Sequence, residues 1–413
     1  MMHQPMKILF LQKRPLFPAD MGGKIRTLNV LRYLAAWHEV TYLCNVQAGE
    51  EPGVQEMRDI GLRVETVPWV ETPRSTLKFY GELAANLFSP NPYNVDKDYD
   101  PQLRRRAEEL LAGDKYDLVV CDFVQMARNA IGLPAAAKVL FEHNVEAQIF
   151  ERHAQQDDGW LRRKYMGLQW RKMRRFEGEA GQQFDAVVAV SHQDKETYIR
   201  DYNWDHVQVI DTAVDLDFFQ PDPTAEQPQR IVFVGSMDWL PNQDGVRHFV
   251  EQVWPLIRER CPETEFRVVG RNPTPMVEQL GRAPGVEIMG TVPDIRPFLA
   301  EAALAVVPLL VGGGTRLKIF EAMAMQKAVV STPLGAEGLE VTSGDNVQLA
   351  NAGPEFADAV VELLLDADKR YKMAAAARQL VEENYSAETV ARQFEAICCQ
   401  AVELRATMPA GNS

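Results

Sequence analysis

Residues 307–325 hold the side chains best placed by type and spacing to do chemistry. An apolar run ends at Val311, and Gly312, Gly313 and Gly314 turn the chain. A helical pattern then begins near Thr315 and carries Arg316, Leu317, Lys318 and Glu321. Glycines let a ligand approach the backbone closely, and the first amides of a helix point outward without partners. Such a helix start favours an anion, and Arg316 and Lys318 add two positive charges beside it. A diphosphate suits that electrostatic pattern. Glu321, deeper in the helix, could offer a carboxylate to ribose hydroxyls. The spacing is not that of a Walker A loop, which needs Gly-Lys-Ser/Thr after four intervening residues. A tight strand-to-helix turn with surface cations is the plainer alternative. A second candidate is His143, between Glu142 and Asn144 at the end of an expected strand, where an imidazole could donate or accept a hydrogen bond at neutral pH. A purely structural histidine is the alternative there.

The elements that must position these residues follow from hydrophobic periodicity. Short apolar runs alternate with helical patterns, which reads as βαβ units on parallel sheets. Strands are expected at 7–12, 40–44, 63–66, 117–121, 138–141 and 186–191, with a long basic helix from about Trp160 to Gln183. Residues 218–229 carry Pro221, Pro223 and Pro228 among polar neighbours and read as a linker. The alternation restarts with strands at 230–234, 265–269, 286–289, 304–307 and 328–331, a helix at 243–260, and a helical tail from Pro354. The expected architecture is α/β, two Rossmann-like domains facing each other across a cleft. They span 1–217 and 230–390, with a helix at 391–413 packing back toward the first. Ligands of such sheets bind at the carboxyl ends of the strands.

Composition narrows the function classes. The 413 residues carry 44 basic and 58 acidic side chains, and the net charge of −14 argues against general nucleic-acid binding. Five scattered cysteines without a Cys-x-x-Cys spacing suit a reducing compartment, and no apolar stretch approaches membrane-spanning length. A cytoplasmic location is expected. One local patch runs against the net charge: Arg162, Arg163, Lys164, Arg171, Lys172, Arg174 and Arg175, interleaved with Trp160, Tyr165, Trp170 and Phe176. A solvated helix explains it, as does an interfacial helix at the inner face of an anionic membrane. The Asp-x-Asp triplets at 96–98, 98–100 and 215–217 read as turn chemistry rather than a metal site.

The 307–325 segment resembles the nucleotide-sugar signature of glycosyltransferase family 4. The likeness extends through 328–339, 233–242, 289–294 and 212–219, and through 17–26, 141–146 and 189–191 in the first half. The resemblance implies the GT-B fold, retention of anomeric configuration and independence from a bound metal or cofactor. It also implies a nucleotide-sugar co-substrate (UDP-, GDP- or ADP-sugar) and a saccharide or glycoconjugate acceptor. The exopolysaccharide branch is the nearest in pattern, so a role in polysaccharide assembly is expected.

Carried onto this chain, the resemblance gives Glu321 the ribose and sets His143 under the donor sugar. It places Gly22, Gly23 and Lys24 near the donor phosphate or the acceptor, and Gly235, Ser236, Thr291 and Val292 around the donor. The family's first motif glutamate falls on Gly313, and its usual glycine on Arg316. Relatives place an arginine and a lysine after the first strand of the second domain, but here residues 236–242 carry no cation. Arg316 and Lys318, with Arg271, are expected to serve the phosphates instead. Residues 69–94, with Arg74, Lys78, Phe79, Tyr80 and Tyr93, are a candidate acceptor surface. A sugar-nucleotide epimerase on the same fold and a non-catalytic nucleotide-sugar-binding protein are the competing readings.

Overall fold

A computed structural model describes residues 4–19, 22–74, 76–135, 137–156, 159–311 and 317–407. The chain divides into two compact units, Met1–Asp211 with Val390–Ser413, and Thr212–Thr389.

The N-terminal unit is built on seven parallel strands: β1 (Lys7–Gln12), β2 (Glu39–Val46), β3 (Arg63–Pro68), β4 (Leu118–Asp122), β5 (Ala137–Phe141), β6 (Ala186–Ala189) and β7 (Val207–Val209). Their spatial order is β3-β2-β1-β4-β5-β6-β7. β1 and β4 are fully or almost fully buried along their length, as a central parallel strand covered on both faces must be. The order reverses between β1 and β4, whose register pairs Ile8 with Leu118 and Leu11 with Cys121. A crevice at the carboxyl ends of such a pair is where doubly wound sheets take ligands. The helix Ala387–Thr407 closes this unit. Phe394 packs on Phe141 with ring centroids 5.0 Å apart, and Gln393 bonds the Asp211 amide at 3.1 Å.

The C-terminal unit holds six parallel strands: β8 (Gln227–Val234), β9 (Glu265–Val269), β10 (Val286–Gly290), β11 (Ala302–Val307), β12 (Ala328–Ser331) and β13 (Gln348–Leu349). Their order is β10-β9-β8-β11-β12-β13, with the reversal between β8 and β11. Two apolar clusters flank the sheet. One centres on Phe249, Phe266 and Phe356, the other on Phe320, Met323 and Tyr385.

Residues 218–229 are not a bare connector. Phe219 is buried, Pro223–Ala225 form a single 3-10 turn, and β8 begins at Gln227, which pairs with Ala302. Glu226 is held by Arg370 at 3.1 Å, the Tyr371 hydroxyl at 3.0 Å and Lys327 at 3.4 Å. The composition that suggests a linker is thus overridden by strand pairing and a buried ion cluster. The helix expected at 243–260 begins earlier, at Leu240, with Pro241 in its first turn where a missing N–H costs nothing. It widens into a π-turn over Phe249–Val253 before resuming as Trp254–Arg260. Pro255 cannot donate to the preceding turn, which accounts for the break.

The five cysteines are buried free thiols, and no helix of the described residues is long and apolar enough to cross a membrane.

Candidate functional site

At the reversal point of the N-terminal sheet, the ends of β1, β4 and β5 converge with the first turns of the helix Gly22–Trp37. His143, just past β5, is buried, and both of its ring nitrogens are engaged. Nε2 lies 2.6 Å from Asp122 Oδ1, and Nδ1 lies 3.1 Å from Arg26 Nη1. A guanidinium only donates, so Nδ1 must accept and Nε2 must carry the proton given to Asp122. Burial pulls the imidazole's pKa down while Asp122 opposes the shift, so the ring is neutral near pH 7. Burial likewise pulls Arg26 down to about 10, offset by Asp194 and Asp122, and it stays charged. Asp122 also accepts from Thr27 Oγ1 at 2.9 Å and Gln12 Nε2 at 2.8 Å.

Phe123 completes this knot. It adopts φ of 72°, a region costly for a bulky side chain, and stacks on His143 with centroids 4.3 Å apart. A Cβ on Gly23 would lie 3.0 Å from that phenyl ring, so a larger residue there would need the ring to give by a few tenths of an ångström. Gly22 is open to solvent, and Lys24 reaches the Pro18 carbonyl at 3.2 Å. Both polar atoms of the His143 ring, expected from the sequence to donate or accept a hydrogen bond, thus have partners within this unit.

Arg26, Thr27, Asp122 and Gln12 were not singled out by sequence reasoning. Asp122 could have been, as the lone charge ending the buried run Leu118–Cys121.

Behind this knot lies a group of buried acids. Glu142 accepts from the Val124 amide at 3.3 Å, and burial raises its pKa well above the usual range. Glu177 accepts from the amides of Glu146 and Ala147 and from the Tyr202 hydroxyl, at 2.8, 3.2 and 2.6 Å. Burial lifts Glu146 to about 7 and Glu177 to about 8.

In the C-terminal unit the reversal lies between β8 and β11, and of the candidate donor residues Gly235, Ser236, Arg271 and Lys318 are described near it. Gly235 and Ser236 directly follow β8. Lys318, on the helix Leu317–Ala324 that follows β11, sends Nζ to Asn242 Oδ1 at 2.6 Å and lies 4.6 Å from the Phe233 ring centroid. The cation missing from residues 236–242 is therefore supplied from 76 residues away. A Cβ on Gly235 would come within 2.8 Å of this ammonium. Arg271, past the end of β9, donates from Nε to Ser236 Oγ at 2.9 Å, and its Nε lies 3.8 Å from Asp238. Thr291 Oγ1 accepts from the Asn272 amide at 3.4 Å on the same side. Val292 turns inward onto the apolar cluster around Phe320.

Glu321 sits on the Lys318 helix, and burial raises its carboxyl to about 7 against the pull of Lys318. Gly312, Gly313, Gly314, Thr315 and Arg316 lie outside the described residues, while Leu317 begins the helix.

Other expectations resolve differently. Asp98 pairs with Lys13 at 2.6 Å, Asp100 caps the helix Pro101–Gly113, and Asp215 accepts the amides of Asp217 and Phe218. Each triplet thus has structural work of its own. In the candidate acceptor stretch, Phe79 packs edge-on to Tyr93 at 5.9 Å and the Tyr93 hydroxyl bonds Glu82 at 3.1 Å. Arg74, Lys78 and Tyr80 stay exposed.

Both halves match known families. Residues 22–218 match the model described as Glycosyltransferase Family 4, and residues 228–366 the one described as Glycosyl transferases group 1. An uncharacterised 44.6 kDa protein in the cps region of Klebsiella pneumoniae is 21% identical over 299 residues, covering 70% of this chain and 75% of that protein. Among solved structures, Anabaena HepE in complex with UDP and glucose superposes with a TM-score of 0.64 at 15% identity, over 96% of this chain and all of that one. Sucrose-phosphate synthase from Thermosynechococcus elongatus gives 0.65 at 17% identity, over 97% and 100%. The chain is a glycosyltransferase of the GT-B fold, in which residues 22–218 and 228–366 carry the likeness to the two family models.

Proposed function

We propose that this glycosyltransferase moves a glycosyl group from a nucleoside-diphosphate sugar to a saccharide or glycoconjugate acceptor in polysaccharide assembly. It would do so with retention of configuration and without a bound metal, in the cytoplasm and peripheral to the inner face of a membrane. The observation that carries the donor reading is the convergence of Lys318 and Arg271 on the end of β8, where the loop itself has no cation. In that site the diphosphate takes the two cations, joined by Arg316 from the adjoining sequence, and Glu321 receives the ribose hydroxyls.

The bond between the anomeric carbon and the β-phosphate oxygen breaks as the acceptor oxygen bonds the same face. The acceptor proton passes to a phosphate oxygen. Charge accumulates on the leaving diphosphate, so Lys318 and Arg271 bind it more strongly in the transition state than in the ground state. The neutral His143, locked between Arg26 and Asp122, offers no proton at pH 7. That weighs against an epimerase, which needs an acid/base pair at the sugar.

HepE was solved with UDP and glucose, so UDP-hexoses are the first donors to try. The test is incubation of the protein with UDP-glucose and oligosaccharide acceptors in EDTA, read by proton NMR. Acceptor-dependent release of UDP with the donor's anomeric configuration kept in the product is expected. An inverted product, or activity only with added metal, would overturn the corresponding part.

A further inference from the structure

One face of the N-terminal unit joins an exposed apolar stripe to a cluster of cations. The helix Leu77–Asn86 is capped by Thr76, whose hydroxyl accepts the Phe79 amide at 3.2 Å. Its inner side buries Asn86. Its outer side shows Leu77 at 93% and Tyr80 at 58% exposure, then Ala84, then Leu87 at 48% and Phe88 at 92% just past its end. Positions 77, 80, 84 and 87/88 follow helical spacing, so these side chains form one apolar stripe facing solvent. A contiguous exposed apolar stripe marks an interaction surface.

Cations border the stripe. The basic helix Trp160–Gly181 is bonded to its end, with Lys172 Nζ donating to the Asn86 carbonyl and Arg175 Nη2 to the Pro90 carbonyl at 2.7 Å. Arg171, Arg174 and Arg175 line, with Trp170, Asp201 and Tyr202, a cleft of about 320 Å³. Arg175 therefore belongs to both the cleft and the rim of the stripe. At the start of the same helix Trp160 and Leu161 are about two-thirds exposed.

We infer that this face seats the protein on an anionic phospholipid bilayer, with Leu77 and Phe88 entering the acyl boundary and the arginine cleft taking headgroup phosphates. The inference rests on the peripheral association proposed above and is independent of the transfer chemistry. Apolar side chains beside clustered arginines match the layered chemistry of a lipid interface. With a net charge of −14, the rest of the molecule is repelled by an anionic surface, so the basic face also sets the orientation. A second copy of the chain fits less well, because a two-fold contact through this face would set the same arginines against each other.

The test is sedimentation of the full chain with vesicles of phosphatidylcholine alone, or with phosphatidylglycerol added. Binding is expected only with phosphatidylglycerol and should weaken with salt. Phe88→Ser and Leu77→Ser should each lower vesicle affinity about tenfold, and Arg174→Gln with Arg175→Gln about fivefold per charge. All these side chains are exposed and only Arg175 gives up a hydrogen bond, to the Pro90 carbonyl, so thermal midpoints should move little. Turnover with soluble donor and acceptor should hold in the Arg174→Gln, Arg175→Gln variant, whose positions lie outside the candidate acceptor stretch 69–94, which separates failure here from failure of the transfer reading. Absence of binding to phosphatidylglycerol vesicles would overturn the inference, as would binding indifferent to the Phe88 and arginine changes. A concentration-dependent dimer abolished by Phe88→Ser, without vesicle binding, would assign the face to a second copy instead.

Discussion

Replacing Asp122 with asparagine removes one acceptor from a site that has no spare. Asp122 is fully buried, with Oδ1 facing His143 Nε2 at 2.6 Å and Oδ2 receiving Thr27 and Gln12 at 2.9 and 2.8 Å. An asparagine keeps one oxygen. If that oxygen serves His143, the amide NH2 points at the two former donors. The Thr27 hydroxyl can rotate to accept. Gln12 can flip only by surrendering the bond its Oε1 takes from the Lys13 amide. At least one donor is left without a partner, and Arg26 loses a nearby counter-charge while buried.

Losing hydrogen bonds to a charged group costs about 1.5–3 kcal/mol each, and breaking a buried charged network about 3–5 kcal/mol. At about 2–4 °C per kcal/mol for a body of this size, the midpoint should fall by roughly 6–20 °C. Calorimetry of wild type, Asp122→Asn and Thr27→Val reads this directly, with Thr27→Val, which removes one of the donors to the carboxylate, costing about 1.5–3 kcal/mol. A midpoint for Asp122→Asn within about 2 °C of wild type, or one no lower than that of Thr27→Val, would refute the network argument.

Lys318→Gln should lower kcat by about 10²–10³ with a much smaller change in KM, because its charge acts mainly on the leaving diphosphate. Steady-state kinetics showing the loss in KM alone would remove that role. Under the proposed donor site, in which Glu321 receives the ribose, a carboxyl raised to about 7 by burial should hold the hydroxyls best once ionised, so nucleotide affinity should climb as pH rises through about 7. Calorimetric titrations showing affinity flat from pH 6 to 8, or the same in Glu321→Gln, would count against it. Glu146 and Glu177 keep protons in the folded state, to about 7 and about 8, that the unfolded chain releases near 4.5. Their contribution is complete below about pH 4.5 and is lost as pH rises through 7 and 8, so Glu177→Gln should flatten the decline of urea stability over that window. A slope unchanged by the substitution would contradict the sign. Gly270→Ala should destabilise the C-terminal unit by about 1–3 kcal/mol or more, since its Cβ would collide with the Gly235 carbonyl oxygen. Wild-type stability and turnover in that variant would show the strand ends to be less tightly joined.

Strands such as Leu118–Asp122 and Ala302–Val307 are legible in the sequence because parallel strands buried on both faces must be continuously apolar. Of the signature at 312–318, only Leu317 and Lys318 fall within the described residues, and Lys318 stands at the start of the helix Leu317–Ala324. The bonds that lock His143 are not legible. Arg26 lies 117 residues away and Asp122 lies 21, and only the β1–β4–β5 order brings them to one point. Residues 236–242 look devoid of a cation for the same reason, because Lys318 arrives through the β8–β11 crossover rather than from the loop. The prolines of 218–229 suggest a linker because composition cannot register that Glu226 is clamped by Lys327 and Arg370.

The most direct test of the donor site is isothermal titration calorimetry of UDP, GDP and ADP into wild type and Lys318→Gln, without metal. The account requires one of the three to bind at a single site, with affinity about 10- to 100-fold weaker in Lys318→Gln, as expected for a lost charge-assisted contact. If no nucleoside diphosphate bound the folded protein, or if both proteins bound it equally, the end of β8 would not be where this glycosyltransferase holds its donor.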